Sequence, residues 1–159
     1  MAVPGISTLG IKVGMNASAN STTLPASAKL LTRINKVGGI NLDVEQIDAS
    51  ALEDYITKYV AGRADTGGTF PITVNLTDET IAEWQAVFAA SETNNGVWIE
   101  IWSPYLTKAF WIFAQTPKEF PMFDVEQNSL ATVDINLTIV EYHGLGTGVE
   151  PSGSPIVTA

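Results

Sequence analysis

Residues 129–144, SLATVDINLTIVEYHG, hold the clearest pattern in the chain. From residue 131 to residue 139, aliphatic side chains alternate strictly with polar ones, which is the period of a β-strand with one buried face. Strands of this kind are typical of antiparallel sheets that pack on a core with one face and meet water with the other. The stretch therefore predicts a fold built from antiparallel sheets.

Upstream stretches extend this pattern. Residues 71–77 alternate in the same way, whereas residues 97–102 and 110–113 are apolar on both faces, which predicts a protein cover on each side. Residues 29–47 are expected to form a strand pair, or one long strand bent at its Gly-Gly pair. The chain is thus predicted to be mainly β.

One helix is expected after the strand at residues 71–77. Thr77 or Asp78 is a suitable N-cap, and Asn95 with Gly96 gives a stop signal. Apolar residues at helical spacing form one stripe: Ile81, Trp84, Val87 and Phe88. Residues 50–61 fit either a second helix or a structured loop. The predicted class is α+β, mainly β: an antiparallel β-sandwich or barrel with one flanking helix, a long loop and extended termini.

A chain of 159 residues has the size of one domain. Residues 1–28 are small and polar, which predicts a flexible N-terminal arm, with a short strand near residues 10–15. Residues 29–143 form the predicted β-sandwich domain. Residues 144–159 are rich in Gly and Pro and predict a flexible C-terminal tail.

Charge is distributed unevenly along the chain. Seventeen acidic residues against eight basic ones give a net charge of −9, which argues against binding to DNA or to anionic membranes. Residues 1–40, however, carry four cations and no acid. These cations are either ordinary solvated charges or part of an arm that docks on the acidic surface of another copy. Lys12 and Lys29 are the candidates for such an inter-subunit contact.

Catalytic and metal-binding patterns are weak. The chain has no cysteine, and its one histidine, His143, lies at the end of the last predicted strand. The carboxylates lack the spacing of a calcium loop. We therefore expect no enzyme activity, no cofactor and no metal. The longest apolar run, residues 109–114, is far shorter than the roughly 20 residues of a membrane span, so no membrane anchor is expected.

The surface pattern favours a subunit that assembles. Strands with two apolar faces, a tyrosine-bearing excursion in the middle of the chain and two extended termini are of little use to a monomer. The four tryptophans fit either a sugar-stacking platform or a core and interface role, and the second interpretation is preferred.

The order of these segments resembles the major tail proteins of long-tailed bacteriophages of the siphophage type, which build the tail tube. The resemblance covers residues 29–143 and depends on order and spacing rather than on a fixed signature. The segments are LLTRINKVGGINLDVEQIDAS, YVAGRADTGGTFPITVNL, TDETIAEWQAVFAA, GVWIEIWSP, KAFWIFAQTPKEF and SLATVDINLTIVEYHG.

The resemblance implies a virion protein, made in the bacterial host cytoplasm, whose partners are its own copies and other tail proteins. Six copies would form a ring, and stacked rings would form a tube through which DNA passes without specific binding. The long loop and termini of such proteins mediate stacking, which assigns that role to Leu52, Tyr55, Tyr59 and Arg63. The lumen is commonly acidic, which makes Asp43, Glu45 and Asp134 its candidates.

Two other functions remain open at this point. One is a carbohydrate-binding β-sandwich that uses exposed tryptophans. The other is a different virion component of related fold, such as a tail-completion or neck protein.

Overall fold

The computed structural model describes residues 5, 7–18, 22–53, 55–65 and 67–155. These residues form nine strands and one helix. The strands are β1 (Lys12–Asn16), β2 (Lys29–Leu31), β3 (Ile34–Val37), β4 (Asp43–Asp48), β5 (Tyr59–Asp65), β6 (Thr69–Asn75), β7 (Val97–Trp102), β8 (Lys108–Gln115) and β9 (Thr132–Thr147), and helix α1 (Asp78–Asn94) lies between β6 and β7.

Seven strands form one antiparallel sheet in the order β2-β1-β7-β8-β9-β6-β3, and β4 pairs with β5 in a separate two-stranded sheet. Together with helix α1, these two sheets confirm the predicted α+β, mainly β class. The large sheet folds over into two layers that enclose the core. Strand β9 bends from one layer to the other, and the two edges of the sheet lie close together.

Strand β9 belongs to both layers of this wrapped sheet. Its first half, from Thr132 to Thr138, pairs with β6, and its second half, from Thr138 to Thr147, pairs with β8. The β8 pairing shifts register twice, which leaves Val140 and His143 as extra residues on β9. Such bulges bend a strand and increase its twist, so β9 turns the corner from one layer to the other.

The opposite corner is formed by the connection between β2 and β3. These strands are the two edges of the sheet, yet only Thr32 and Arg33 separate them in sequence. Three residue steps span at most about 11 Å, so the two edges of the sheet lie side by side. Arg33 has a φ of 57°, in the left-handed region, and this conformation makes the sharp turn between the layers.

A buried carboxylate of α1 holds this corner. Glu83 is 1% exposed and accepts hydrogen bonds from the Thr32 backbone N–H at 3.1 Å and from the Thr32 hydroxyl at 3.0 Å. A charged acceptor makes such bonds stronger than neutral ones. Glu83 therefore ties the helix to the residue where the chain changes layers.

The core lies between the two layers and beneath α1. In the strands with period-two alternation, the aliphatic side chains face the core. Ile72 and Ile135, for example, are 0% exposed. Trp84 and Val87 of α1 belong to the core and Phe88 packs against it, which confirms these three residues of the predicted stripe, whereas Ile81 lies outside the cluster. The buried cluster comprises Val13, Met15, Leu31, Phe70, Ile72, Val74, Trp84, Val87, Val97, Ile99, Ile112, Ala114, Val133, Ile135 and Leu137.

The predicted helix ends are also confirmed. Thr77 is the N-cap, and its side chain and that of Thr80 form a reciprocal capping box. Asn95 closes the helix in the left-handed conformation, with a φ of 58°. None of the described helical residues forms a segment long and apolar enough to cross a membrane.

Two local expectations differ from the structure. Residues 29–47 form neither a simple pair nor one bent strand: β2 and β3 lie at opposite edges of the large sheet, while β4 leaves it and pairs with β5. Among the described residues of 50–61, no helix forms. The described residues between 50 and 58 make a loop, and residues 59–61 belong to β5, because Tyr59 and Val60 pair with β4 instead of packing an apolar helical face on the body.

The predicted boundaries of the arm and tail also differ from the sheet. The short strand expected near residues 10–15 forms as β1, but it lies inside the large sheet between β2 and β7, with Val13 and Met15 in the core. At the other end, β9 continues to Thr147, and residues 149–155 lie on the body, with Pro151 and Pro155 buried. The outermost parts of both predicted termini, residues 1–4 and 156–159, lie outside the described residues.

Candidate assembly surfaces

The two-stranded sheet projects from the body as a hairpin. All six residues of β4 are exposed, and Asp48 pairs with Tyr59 at the far end of the ladder. The hairpin makes extensive contacts only within itself. A hairpin of two strands is marginally stable in water by itself. The structure therefore presents an element that a partner surface would stabilise.

Ser50 fixes the start of the connecting loop. Its backbone N–H donates to the Asp48 carboxylate at 2.9 Å, and its hydroxyl accepts from the Lys58 backbone N–H at 2.7 Å. The bond from the Ser50 N–H, with help from the Ser50 side chain, lowers the pKa of Asp48 below its usual value. The loop from residue 50 to residue 58 is thereby closed at its base while its apolar side chains point into solvent.

The four predicted stacking residues lie together on this hairpin. Leu52 and Tyr55 lie in the loop and are as exposed as in an extended chain, at 106% and 104%. Tyr59 opens β5 and Arg63 lies further along the same strand, both exposed. Ile56, which is 79% exposed beside them, was not predicted as a stacking residue. Its helical spacing from Leu52 and Tyr59 instead indicated the buried face of a possible helix.

The three predicted lumen acids lie on two different elements. Asp43 and Glu45 are on β4 of the hairpin, and Asp134 is on β9 of the large sheet. Asp134 accepts a hydrogen bond from the Thr73 hydroxyl at 2.6 Å. Within one chain the three acids therefore do not form one cluster, and their position relative to a lumen remains a prediction.

Asp134 belongs to a polar outer face formed by β3, β6 and the first half of β9. On this face, Asn35 and Asn75 are joined by a side-chain hydrogen bond of 2.9 Å, and Thr73 binds Asp134. The alternate residues of the same strands form the core. This layer therefore presents a polar surface to water, on which Lys36 of β3 and Asp134 of β9 flank Thr73 of β6.

Both predicted arm cations contact the C-terminal segment of their own chain. The Lys12 ammonium lies 2.8 Å from the Glu150 carboxylate and 5.5 Å from the centre of the Trp102 ring. The Lys29 ammonium lies beside Gly153, 3.6 Å from where a β-carbon on that glycine would sit. Within one subunit the Lys12 charge already holds residue 150 to the sheet by an ion pair, and Lys29 lies against Gly153 without a charged partner there. Their predicted role between subunits remains untested.

The C-terminal segment covers a second buried cluster on the outer face of β7 and β8. Val149 packs with Leu24 against Trp98, Trp111 and Phe113. The chain approaches the sheet closely, because a β-carbon on Gly14 would lie only 2.8 Å from Pro151 Cγ. Backbone bonds from Leu30 N–H to Gly153 and from Ser152 N–H to Ala28 complete the attachment.

Glu100 is buried under this segment. It is 0% exposed, and its Oε2 accepts a hydrogen bond from the Val149 N–H at 2.8 Å, while its Oε1 has no partner among the described residues. Burial raises the pKa of Glu100 to about 7 from an ordinary value of 4.5, and the bond from Val149 opposes the rise. The sequence placed Glu100 in an apolar strand between two tryptophans but gave no reason to expect a covered carboxyl group.

We expect this carboxyl group to make folding stability depend on pH. The native state keeps the proton that the unfolded chain loses near pH 4.5, so the stabilisation is complete below that value and is lost as pH rises through about 7. Glu100→Gln, which stays neutral, should flatten the fall in Tm between pH 5 and 8 and raise Tm at pH 8. Thermal unfolding monitored by circular dichroism measures this, with the exposed Glu126→Gln as control. Equal slopes in the Glu100→Gln variant and the wild type would contradict the assignment.

The tryptophans are core residues rather than a binding platform. Trp84, Trp98 and Trp111 are 0% exposed, and Trp102 is half-buried under Lys12. Trp98 contacts Trp111, Phe113 and His143 edge-on or tilted, at centroid distances from 4.5 to 6.0 Å. The preferred interpretation of the tryptophans as core residues thus holds for Trp84, Trp98 and Trp111, and these three offer no exposed platform for the alternative, a carbohydrate-binding function.

His143 occupies a structural position. It is a bulge residue of β9, its ring stacks on Trp98 at 4.5 Å, and its Nε2 lies 3.5 Å from the Glu141 carboxylate. The described residues contain no group of three or more His, Asp or Glu side chains placed to hold a metal ion.

Comparisons with known proteins identify the fold. No protein-family model and no curated protein matches the chain. A chain from the tail of an empty GTA particle, refined with C6 symmetry, matches with a TM-score of 0.60 at 9% identity, over 91% of this chain and 100% of that one. A chain from the six-fold symmetrised baseplate of the anti-feeding prophage matches with a TM-score of 0.56 at 14% identity, over 94% and 100%. At these identities the likeness shows a shared fold.

Proposed function

We propose that this protein is a structural subunit of a phage tail, of the kind that forms stacked hexameric rings around a channel for DNA. The observation that carries the proposal is the exposed apolar hairpin on a closed two-layer body. Two solved chains of the same fold, from six-fold symmetric tail and baseplate particles, support it. Apolar patches of this kind on a soluble subunit mark interaction sites.

In this proposal the hairpin and the polar face have different roles. The hairpin residues Leu52, Tyr55, Tyr59 and Arg63 contact the next ring. The polar face of β3, β6 and β9 lines the channel with Asp134, and Asp43 and Glu45 contribute to the channel wall from the base of the hairpin. Like charge keeps phosphates off such a wall, whereas a basic wall would release counterions on binding DNA and would hold it.

The experiment that tests the function is the assembly state of the purified protein. Sedimentation velocity over a concentration series, with negative-stain electron microscopy of the same samples, is expected to show rings and tubes that lengthen with concentration. Protein that remains monomeric throughout would contradict the proposal. Rings that never stack would favour a terminal component such as a tail-completion or neck protein, a candidate supported by the match to a baseplate chain.

The channel assignment predicts how assembled tubes treat DNA. Tubes of the wild type are expected to leave short duplex DNA in the supernatant at low salt. Tubes that carry Asp43→Lys, Glu45→Lys and Asp134→Lys should retain DNA and protect it from nuclease, with binding that falls steeply as salt rises.

Three acids exposed elsewhere provide the matched control. Glu92→Lys, Asp124→Lys and Glu126→Lys add the same charge. DNA bound by those tubes is expected to remain nuclease-sensitive, and equal protection by the two triple variants would overturn the lumen assignment.

A further inference from the structure

An apolar groove opens between the two layers beside edge strand β3. It has a volume of about 580 Å³, and one wall runs along residues 34–40. The facing wall is formed by apolar residues of the other layer, among them Ile101, Phe110 and Ile112. Pockets of ~300–1,000 Å³ are large enough for drug-sized molecules, so this groove accommodates several large side chains.

The rim of the groove carries positive charge. Among the described residues that line the groove, Lys36 carries a charge. Arg33 lines a neighbouring depression, and Ile11, Val13 and Ile34 border both the groove and this depression. Both cations are exposed. Of the four cations in residues 1–40, Lys12 pairs with Glu150, whereas Arg33 and Lys36 have no ion pair among the described residues. The groove therefore selects an occupant that is apolar and bears acids at its margins.

The loop of the β4–β5 hairpin has this composition. Leu52, Tyr55 and Ile56 are from 79% to 106% exposed, so no described residue of their own chain covers them. Residues 41–65 carry six acids against two cations, with Glu53 inside the apolar cluster. Charge and hydropathy of this loop thus complement those of the groove.

We propose that the hairpin loop of one copy inserts into the groove beside β3 of a second copy. This inference rests on the proposed function and names the receiving surface for its hairpin. The hairpin starts from the groove's own rim, since Gly38, Gly39 and Ile40 line the groove and lead directly into β4. Loop and groove are different surfaces of one subunit, so each contact leaves a free loop at one end and a free groove at the other. Such heterologous contacts build open-ended stacks.

Cysteine cross-linking tests the contact, because the natural chain contains no cysteine. Two full-length variants, Tyr55→Cys and Lys36→Cys, carry different mass tags and are mixed under assembly conditions before mild oxidation. Each chain has one thiol, so every disulfide joins two copies. We expect a dimer that links the two tags to be the main product.

The matched control pairs Tyr55→Cys with Met122→Cys. Met122 is 84% exposed on the loop between β8 and β9, away from the groove lining. If the mixtures assemble but the yield of the Tyr55–Lys36 cross-link does not exceed that of the Tyr55–Met122 cross-link, the proposed docking site is wrong and the proposed function is unaffected. Failure of the wild type to assemble at all would overturn both.

A charge exchange gives a second readout that does not depend on oxidation. Lys36→Glu places an acid at the rim that meets Glu53 and should raise the concentration needed for assembly by roughly tenfold at low salt. Adding Glu53→Lys in the same chain is expected to restore assembly, because the pair regains opposite charges. If the double variant assembles no better than Lys36→Glu alone, the proposed pairing of loop and groove is wrong.

Discussion

A chain in which residues 43–65 are replaced by a short Gly-Ser linker is expected to fold with the stability of the wild type and to lose assembly completely. The hairpin packs on no other element to any large extent, and Asp43 and Asp65 are register partners, so a short linker closes the gap without strain. The apolar loop that the proposed contact needs is removed, while the two layers and their core stay intact.

Two measurements separate these effects. Thermal unfolding should give an unchanged Tm for the deletion variant, and sedimentation velocity should give only monomer at concentrations where the wild type assembles. Met122→Ser with Val125→Ser removes two other exposed apolar side chains and should leave assembly intact. Assembly of the deletion variant into tubes would show that the hairpin is dispensable and would refute its assigned role.

Substitution of Glu83 by alanine is expected to cause the largest loss of folding stability. The change leaves the Thr32 N–H without its acceptor at the corner between the layers and removes a buried side chain of α1. Loss of hydrogen bonds to a charged group in a buried site corresponds to about 3 kcal/mol. For a domain of this size we expect Tm to fall by roughly 6–12 °C.

Two further variants distinguish the loss of the Glu83 hydrogen bonds from a general effect of substitution on helix stability. Glu83→Gln keeps one acceptor oxygen and should lose less stability than alanine. Glu92→Ala, an exposed glutamate on the same helix, should stay within about 0.5 kcal/mol of the wild type. If Glu83→Ala unfolds at the same temperature as Glu92→Ala, Glu83 does not hold the corner.

Several elements followed directly from local sequence. The alternation in residues 131–139 specified the first half of β9, since one face of that strand is buried and the other meets water. The helix from Asp78 to Asn94 was predictable to within about one residue at each end, because its capping groups are local in the chain. The assignment of Trp98 and Trp111 to the core followed from the two apolar faces of β7 and β8.

Other features depended on residues that are distant in sequence. Ser50 to Ala61 carried a capping box and apolar residues at helical spacing, yet Tyr59 and Val60 pair with β4, since cross-strand hydrogen bonds replaced those of a helix. Lys12 belonged to a predicted arm, but its strand fills a place between β2 and β7 and its charge binds Glu150 at the other end of the chain.

The sequence alone thus determined the fold class, the helix, the strand periods and the acidic charge, because each of these depends on neighbours within a few residues. Tertiary structure alone decided which strand bends through both layers, which two edges meet at Thr32, and which carboxyl groups become buried. Glu83 and Glu100 look like ordinary acids in the chain. Their roles arise only when the corner and the C-terminal segment cover them, since burial and hydrogen bonding are set by residues tens of positions away.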